Sequence, residues 1–355
     1  MSPALSNCSP PEEVVVVQDA AVGLSGVIVM HSRALGPAAG GCRLWHYGSS
    51  HEVTADAMRL ARGMTYKNAL AGLPMGGGKA VLRMPEGRFD RRRYFEAFGR
   101  AVEKLRGRYV TAEDVGTSED DMLSVARETR HVAGLPKDGG RPGGDPSPHT
   151  AKGVLMAMEV AARRKLGRPL SDCTVAIQGL GHVGSALAEL LYAAGAKLVV
   201  CDPDTQAGQR VAAATGAELL PVEAIFGARA DIFAPCALGG VLNAGTIRQL
   251  RAKVVCGAAN NQLASDDDAL RLHDRGILYA PDFAVNAGGI VNVTAEYLDW
   301  TPAQAEELVL ATGDRLKAVF DFAEAHKVLP HYAAEMLARQ RIAQQSGKLG
   351  QRSAA

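Results

Sequence analysis

The first third of the chain combines strand-like and helix-like patterns of apolar residues. Two β-branched runs, VVVVQ and SGVIVMHS, flank the turn-forming segment DAAVGL and predict a pair of strands. Apolar residues then recur at helical spacing over Glu52–Leu70 and Arg92–Leu105. We interpret GLPMGGGK as a loop that leads into the strand AVLRM. Lys67 therefore falls near a helix end, Lys79 at a strand start, and Asp114 in the loop AEDVGTS.

The rest of the chain alternates short apolar strands with helical stretches. A helix, TAKGVLMAMEVAARRKL, precedes the strand-like segments TVAIQ, KLVVC, ADIFA, KVVCG and ILYA, and this order predicts a parallel, doubly wound sheet of Rossmann type. Beyond Pro302 the pattern is helical, with a predicted apolar stripe at Leu308, Leu316, Val319 and Phe322.

These patterns predict an α/β protein of two domains. A glycine- and proline-rich segment, KDGGRPGGDPSP at 137–148, is the best boundary. We predict an N-terminal α/β domain at 1–145, a Rossmann domain at 146–325, and C-terminal helices at 326–355 that return to the first domain. A chain of 355 residues, 47% of them hydrophobic, is long enough for two cores.

Charge and cysteine content narrow the classes of partner. With 39 basic and 38 acidic residues the net charge is only +1, so no net field attracts nucleic acid or an anionic membrane. The cysteines form no CxxC pair and the start, MSPALSNCSPPEE, lacks the pattern of a signal peptide, which predicts a reduced, cytoplasmic protein. No apolar run approaches the roughly 20 residues that cross a bilayer. We expect a small-molecule ligand, and neither nucleic acid nor membrane as a partner.

A glycine motif, GLGHVG at 179–184, follows the strand TVAIQ directly and opens a helix. The glycines permit a tight turn close to a pyrophosphate, and the helix amino terminus attracts phosphate. Asp202 ends the next strand, about 20 residues on, where a carboxylate accepts hydrogen bonds from ribose hydroxyls and repels a 2′-phosphate. The order of strand, glycines, helix and acidic residue favours a nucleotide site over a tight turn that binds no ligand. The acidic residue favours NAD over NADP as the nucleotide. We expect His182 to be a solvent-facing spacer. The assigned residues are Gly179, Gly181, His182, Val183, Gly184 and Asp202.

Two lysines and an aspartate are the candidates for chemistry in the first domain. Three glycines before Lys79 would let backbone amides approach an anion beside an ammonium group. Taken alone, GGGK is equally typical of a flexible turn with an exposed lysine, and Lys67 of a solvated helix position. The carboxylate of Asp114, in the segment TAEDVGT, changes this balance in favour of a chemical site.

Six segments resemble, in the same order, the glutamate/leucine/phenylalanine/valine dehydrogenase family, and the resemblance covers nearly the whole chain. The segments are LGPAAGG (35–41), TYKNALAGLPMGGGK (65–79), TAEDVGT (111–117), QGLGHVG (178–184), GAANNQL (257–263) and APDFAVNAGG (280–289).

The resemblance implies NAD-dependent oxidative deamination of an L-amino acid to a 2-oxo acid and ammonium, and the reverse reaction. It implies that Lys67 binds the substrate α-carboxylate, that Lys79 activates water, and that Asp114 moves protons to and from the substrate nitrogen. A desolvated lysine near a second cationic group loses its proton more readily, which suits such a base. The other implied residues are Gly40 and Gly41 at the substrate, and Thr150, Asn261 and Asn286 at the nicotinamide side, with a helix-start cap as the alternative for Asn286.

The resemblance also bears on the substrate side chain. Where glutamate enzymes of the family carry a lysine for the distal carboxylate, this chain has Ala39, so glutamate would bury an unpaired charge. Ala39 resembles phenylalanine enzymes, whereas Ala112, Ile290 and Val293 resemble branched-chain enzymes. We expect leucine, valine or isoleucine first and phenylalanine next, because one methylene changes preference by only about 1–3 kcal/mol.

Two other classes were weighed. A non-catalytic NAD-binding regulator on the same fold is disfavoured because both lysines and the aspartate are present. A zinc protein is disfavoured because no histidine or cysteine falls at zinc spacing, and His326 and His331 are interpreted as solvated; no metal is expected. A homo-oligomer is implied by the resemblance, through the first-domain strands and the C-terminal helices, whereas subunit number, physiological direction and regulation leave no trace in the sequence.

Overall fold

The computed structural model describes residues 10–136 and 142–353 of the chain. Residues 1–9, on which the absence of a signal peptide was judged, and residues 137–141 of the predicted domain boundary lie outside the described residues. The described residues form two compact units. The first comprises those up to Gly144, Glu296–Asp299 and those from Arg341 onward, and the second comprises Asp145–Ala295 and Trp300–Gln340. The predicted α/β class with two domains is confirmed.

The first unit is built on a six-stranded sheet with helices packed on it. Its elements are β1 (Glu13–Asp19), β2 (Leu24–Ser32), β3 (Ala38–Ala39), β4 (Cys42–Trp45), α1 (Ser50–Ala71), β5 (Gly76–Arg83), α2 (Arg91–Glu103), β6 (Tyr109–Val110) and α3 (Glu119–Ala126). The strand order is β1-β2-β5-β3-β6, with β4 also paired to β5. The predicted strand pair is confirmed, because β1 and β2 are antiparallel neighbours. The sequence did not predict β3 and β4, which run parallel to β5.

Helix α1 is stabilised by capping residues at both ends and by the burial of one apolar face. Ser49 accepts a hydrogen bond from the Glu52 amide at the N-terminus, and Gly72, at φ +80°, ends the helix in the left-handed conformation. The apolar face buries Val53 and Ala57 against valines of β2 and β5. The helix thus lies flat on the strand that carries Lys79.

The predicted GGGK loop is wrong. Strand β5 begins at Gly76, so the three glycines are strand residues and Lys79 lies inside the strand. The reason is close packing: a Cβ on Gly77 would lie 2.1 Å from the backbone nitrogen of Thr65, and one on Gly78 would lie 2.9 Å from the ring of Tyr109. The glycines allow helix α1 and the ring of Tyr109 to pack closely against the strand.

The second unit contains a parallel sheet in the order β12-β11-β10-β7-β8-β9. Its elements are α4 (Ser147–Leu166), β7 (Thr174–Gln178), α5 (His182–Ala193), β8 (Lys197–Cys201), α6 (Thr205–Thr215), β9 (Glu218–Leu219), β10 (Ile232–Pro235), α7 (Ala244–Gln249), β11 (Val254–Val255), α8 (Asp267–Asp274), β12 (Leu278–Tyr279) and α9 (Asp282–Val285). Five of these strands were predicted, and the exposed edge strand β9 was not. The doubly wound parallel sheet is confirmed.

The C-terminal region is helical as predicted. Its elements are α10 (Gly288–Tyr297), α11 (Pro302–Leu310), α12 (Thr312–His326) and α13 (Pro330–Ser353). The predicted stripe is only partly correct, because Leu316 and Val319 are buried whereas Leu308 and Phe322 are partly exposed. Helix α11 ends at Leu310 and α12 starts anew, so helical spacing does not continue from one to the other; on α12 the stripe is completed by Phe320 instead.

The interpretation of both C-terminal histidines as solvated is wrong for one of them. His326 is exposed, but the side chain of His331 is only 13% exposed, with its ring centroid 5.7 Å from that of Phe283. The apolar neighbours come from elements distant in sequence, which residue spacing does not show. Over the described residues, none of the helices combines the length and the apolar character that crossing a membrane requires.

Candidate active site

A buried ion pair marks the chemical site of the first unit. Lys79 projects from the middle of β5 and is 5% exposed, and its Nζ lies 3.0 Å from Oδ2 of Asp114. Asp114 belongs to the loop between β6 and α3, as predicted. The strand and the loop thus bring two of the predicted catalytic side chains into direct contact.

A tight turn fixes the loop that carries Asp114. The hydroxyl of Thr117 lies 2.9 Å from the Asp114 backbone nitrogen and donates to the carbonyl oxygen of Cys42 at 3.0 Å. Gly116 adopts φ +81°, and a Cβ there would lie 1.9 Å from the carbonyl oxygen of Leu44. The turn therefore holds the carboxylate against β4 without depending on a ligand.

Gly40 and Gly41, predicted to contact substrate, lie where the chain passes closest to this pair. A Cβ on Gly41 would be 2.7 Å from Cβ of Asp114, and one on Gly40 would be 1.9 Å from the carbonyl oxygen of Gly78. Any side chain would displace the aspartate or the strand. Close packing is therefore sufficient reason for glycine at both positions.

Arg43 is a residue of the site that the sequence analysis missed. Its Nε donates to Oδ2 of Asp114 at 3.2 Å, and its Nη1 donates to Oδ2 of Asp56 at 3.1 Å. Asp56 also accepts a hydrogen bond from the hydroxyl of Tyr47 at 2.7 Å. One signal was present in the sequence: Arg43 is a charged residue inside the short apolar strand β4, two residues after the glycine pair.

The charges around Asp114 determine its protonation state. Burial raises the pKa of Asp114, but the opposite charges of Lys79 and Arg43, together with their hydrogen bonds, outweigh burial and hold the pKa below its ordinary value. Asp114 is consequently a carboxylate at neutral pH, able to accept a proton.

The remaining predicted residues of the substrate site divide between the two units. Lys67 lies on the last part of α1, and Ala39 and Ala112 are buried on β3 and just beyond β6. Ile290 and Val293 lie on α10 and are each 8% exposed. Each unit thus contributes small or apolar side chains at these positions.

The glycine motif has the geometry that its spacing predicted. Gly179 adopts φ +93°, and a Cβ there would lie 2.8 Å from Ala237. A Cβ on Gly184 would lie 1.9 Å from the carbonyl oxygen of Gly179, whereas one on Gly181 would meet open space. Gly181 is the N-cap of α5 and provides no side-chain cap, and His182 and Val183 follow it in the first turn, His182 being exposed. The turn leaves room for a ligand at the amino terminus of α5.

Asp202, predicted to bind the ribose hydroxyls of NAD, accepts a hydrogen bond from the backbone of the glycine turn. It follows β8, and its Oδ2 accepts a hydrogen bond from the Leu180 amide at 2.6 Å while its Oδ1 accepts one from the Asp204 amide at 2.8 Å. The carboxylate therefore fixes the glycine turn from the neighbouring strand.

The loop after β11 carries two of the residues assigned to the nicotinamide side. Asn261 adopts φ +50°, and its amide donates to the carboxylate of Asp282. The side chain of Asn286 donates to the Ala258 carbonyl at 3.0 Å and to Oδ1 of Asn260 at 2.9 Å. The alternative role of Asn286 as a cap at the start of α10 is wrong, because its side chain turns to this loop and its Oδ1 has no hydrogen-bond partner among the described residues.

Thr150, the third residue assigned there, lies in the first turn of α4. Its hydroxyl donates to the Pro146 carbonyl at 3.2 Å, and the residue is 9% exposed. A hydroxyl engaged within its own helix can still accept a hydrogen bond from a ligand.

Fold and site together define an oxidoreductase with a nucleotide-binding fold. The model of the Glu/Leu/Phe/Val dehydrogenase dimerisation domain matches residues 11–131, and that of the Glutamate/Leucine/Phenylalanine/Valine dehydrogenase domain matches residues 143–208 and 202–350. The chain belongs to the glutamate/leucine/phenylalanine/valine dehydrogenase family, and it is an amino-acid dehydrogenase.

Relatives match over nearly the full length. The chain is 47% identical to a valine dehydrogenase of Streptomyces coelicolor over 347 residues, covering 94% of this chain and 92% of the relative. It is 43% identical to a leucine dehydrogenase of Thermoactinomyces intermedius over 332 residues, covering 93% and 90%. The crystal structure of L-tryptophan dehydrogenase from Nostoc punctiforme superposes with a TM-score of 0.81 at 36% identity, covering 94% of this chain and 96% of that one.

Proposed function

We propose that the protein catalyses NAD-dependent oxidative deamination of an apolar L-amino acid to its 2-oxo acid and ammonium, and the reverse reductive amination. The observation that carries this proposal is the buried pair of Lys79 and Asp114, whose facing atoms are 3.0 Å apart. A base and a proton carrier in direct contact suit a reaction that moves protons at both nitrogen and water. Family membership supplies the class of reaction.

The residues of the first unit would act in sequence. Lys67 binds the α-carboxylate of the substrate, and Asp114 accepts a proton from its ammonium group, because the lowered pKa keeps this carboxylate ionised. When bound, NAD would supply the hydride acceptor for the α-carbon, and the substrate would become an imine. Lys79 then takes a proton from the water that attacks the imine carbon. The nitrogen of the resulting carbinolamine takes the proton of Asp114 and leaves as ammonia. The hydroxyl proton passes through Asp114 to that ammonia, so that ammonium and the 2-oxo acid form, and Lys79 releases its proton to solvent.

The second unit fits NAD. The open space beside Gly181 and the uncapped amino terminus of α5 suit a pyrophosphate. The carboxyl group of Asp202 lies at the end of β8, where a 2′-phosphate would be repelled and ribose hydroxyls would find an acceptor. Asn261, Asn286 and Thr150 would lie at the nicotinamide end. The same geometry disfavours NADP.

An apolar substrate is supported by the small buried side chains of the first unit. Ala39 is fully buried and Ala112 is 4% exposed, so neither position offers a charge to a distal carboxylate. An unpaired buried carboxylate costs several kcal/mol, which argues against glutamate. Ile290 and Val293 suit branched-chain side chains, and the similarity to valine and leucine dehydrogenases agrees with leucine, valine or isoleucine ahead of phenylalanine.

We further propose a cytoplasmic homo-oligomer. Strand β1 lies at the edge of the first sheet and exposes Val14 and Val16, 43% and 64% accessible. An exposed apolar edge strand is a ready surface for pairing with a second copy. The family model over residues 11–131 carries the description "dimerisation domain", which agrees with contact through this unit.

The test of the proposed function is NADH formation at alkaline pH with leucine, valine, isoleucine, phenylalanine, tryptophan and glutamate, compared by kcat/KM. We expect the highest values with the branched-chain substrates and none with glutamate. Replacement of NAD by NADP is the matched control and should lower the rate. Inactivity with every amino acid would contradict the proposal and favour an NAD-binding regulator on this fold.

A further inference from the structure

Asp114 is held by two cations on the same oxygen. Lys79 on β5 and Arg43 on β4 approach Oδ2 at 3.0 Å and 3.2 Å. The proposed reaction assigns a step to Lys79 but none to Arg43. A second cation at the proton-accepting group, only 18% exposed, requires an explanation.

The orientation of the Arg43 guanidinium is fixed by a second carboxylate, that of Asp56, in addition to Asp114. Nε binds Asp114 while Nη1 binds Asp56, and the side chain is 18% exposed. Asp56 is in turn bound by the hydroxyl of Tyr47 and, at 2.6 Å, by the guanidinium of Arg59. A planar guanidinium can bind two carboxylates at once in a fixed geometry, whereas a lysine offers a single ammonium.

We propose that Arg43 is a positioning residue of the proposed deamination, which holds the Asp114 carboxylate oriented and ionised for proton transfer without itself contacting the reacting atoms. The inference rests on the proposed function, because it assigns Arg43 to the step that Asp114 performs. The network from Asp56 to Asp114 lies wholly within the first unit.

The charges predict how the site responds to the loss of Arg43. The charged and titratable groups on the elements packed around Asp114 are Lys79, Arg43, Cys42, Tyr109, Lys67, Asp56, Arg91 and Asp121. Cys42 and Tyr109 are buried, and burial raises the pKa of both, so they stay neutral and compensate nothing. Without Arg43, burial of Asp114 is opposed by Lys79 alone, and the pKa of Asp114 rises.

The sign of the effect on activity follows. Deamination needs ionised Asp114, so kcat/KM falls as the pH drops through its pKa. Since an opposite charge beside a carboxyl group lowers its pKa, removing one of the two cations should move the acidic limb to higher pH.

The experiment compares Arg43→Gln with Arg59→Gln. Arg59→Gln is the control, because it removes one positive charge from the same network. Unlike Arg43, Arg59 is half-exposed and binds Asp56. We measure the pH profile of kcat/KM for the best amino-acid substrate, together with kcat, KM and the melting temperature. Arg43→Gln should show the upward shift and a lower kcat at a KM within about threefold of the parent value, as expected when an interaction acts on the chemical step. The Arg59→Gln profile should coincide with that of the parent.

Each outcome decides the matter. An Arg43→Gln profile with the parental acidic limb would show a purely structural role and overturn the inference. If Arg43→Gln does not fold, Arg43→Lys provides the test, because lysine keeps the charge but cannot bind both carboxylates. A reduced kcat at unchanged KM would support the positioning role of Arg43. A parental kcat would overturn it. An inactive parent would overturn the proposed function and this inference with it, whereas an active parent with an unshifted variant overturns the inference alone.

Discussion

The glycines before Lys79 offer a test of packing against ligand binding. If Gly77 is required by packing, Gly77→Ala must destabilise the first unit. The added Cβ would lie 2.1 Å from both the backbone nitrogen and Oγ1 of Thr65. A non-bonded contact needs about 3.5 Å, so α1 must move away from β5 by about 1.4 Å to relieve the clash.

The cost follows from the rigidity of both partners. The clash involves backbone on each side, in the middle of a helix and a strand, so no side-chain rotation can relieve it. Overpacking of this kind costs about 1–3 kcal/mol, and we expect about 3. For a domain of roughly 150–250 residues each kcal/mol lowers the melting temperature by about 2–4 °C, which predicts a fall of about 6–12 °C for the first unit.

The assay is thermal unfolding followed by circular dichroism, with Gly63→Ala as the control. Gly63 lies on the same helix but has open space at its Cβ position, and alanine is favoured over glycine in a helix by about 1 kcal/mol, so the control should be stabilised. A Gly77→Ala protein with parental melting temperature and weakened amino-acid binding would refute the packing argument and restore the anion-loop interpretation.

Two further predictions concern single residues. Lys79→Ala should lower kcat by about 10²–10⁴-fold, because the base is lost, while NAD binding measured by calorimetry is retained, because the second unit is unchanged. Replacement of the exposed Lys104 by alanine serves as the control. Near-parental turnover of Lys79→Ala would contradict the role assigned to Lys79. Asp202→Ala should weaken NAD binding by about 10–100-fold, since hydrogen bonds to a charged group contribute about 1.5–3 kcal/mol. It should also reduce the ratio of NAD affinity to NADP affinity. Asp274→Ala is the control there, and an unchanged cofactor preference would mean that Asp202 does not meet the ribose.

The sequence predicted the fold wherever the apolar pattern was long or repeated. Five parallel strands, the strand pair β1 and β2, and the helix predicted over 52–70 and observed over 50–71 all follow from periodicity. The short strands β3, β4 and β9 were missed because they contain no β-branched residues, unlike the equally short strand β11. Leu308 was misplaced because the periodicity was read across the break between α11 and α12, and Phe322 because the buried face of α12 continues to Phe320 and Ala323 instead.

The site was predicted less completely than the fold, for a physical reason. Lys79 and Asp114 stand in segments with a specific order of residues, and the structure brings them together. Arg43 and Asp56 form a network between a strand and a helix, and nothing in their spacing shows that they meet. His331 illustrates the same limit, because its apolar neighbours Tyr279 and Phe283 are some fifty residues away in the chain.

The misplaced loop leads to a more general conclusion about how the site is held. Glycine is depleted in strands because it weakens them, so three in succession favoured a loop. In the structure they allow α1 and Tyr109 to approach, and β5 is hydrogen-bonded on both sides, to β2 and to β3 and β4. Lys79 therefore stands on a strand whose backbone is fixed, opposite a carboxylate fixed by Arg43 and Thr117. A lysine on a mobile loop would have to be ordered in every catalytic cycle, whereas this one is already in place, and that preorganisation explains why the site tolerates a locally unfavourable sequence.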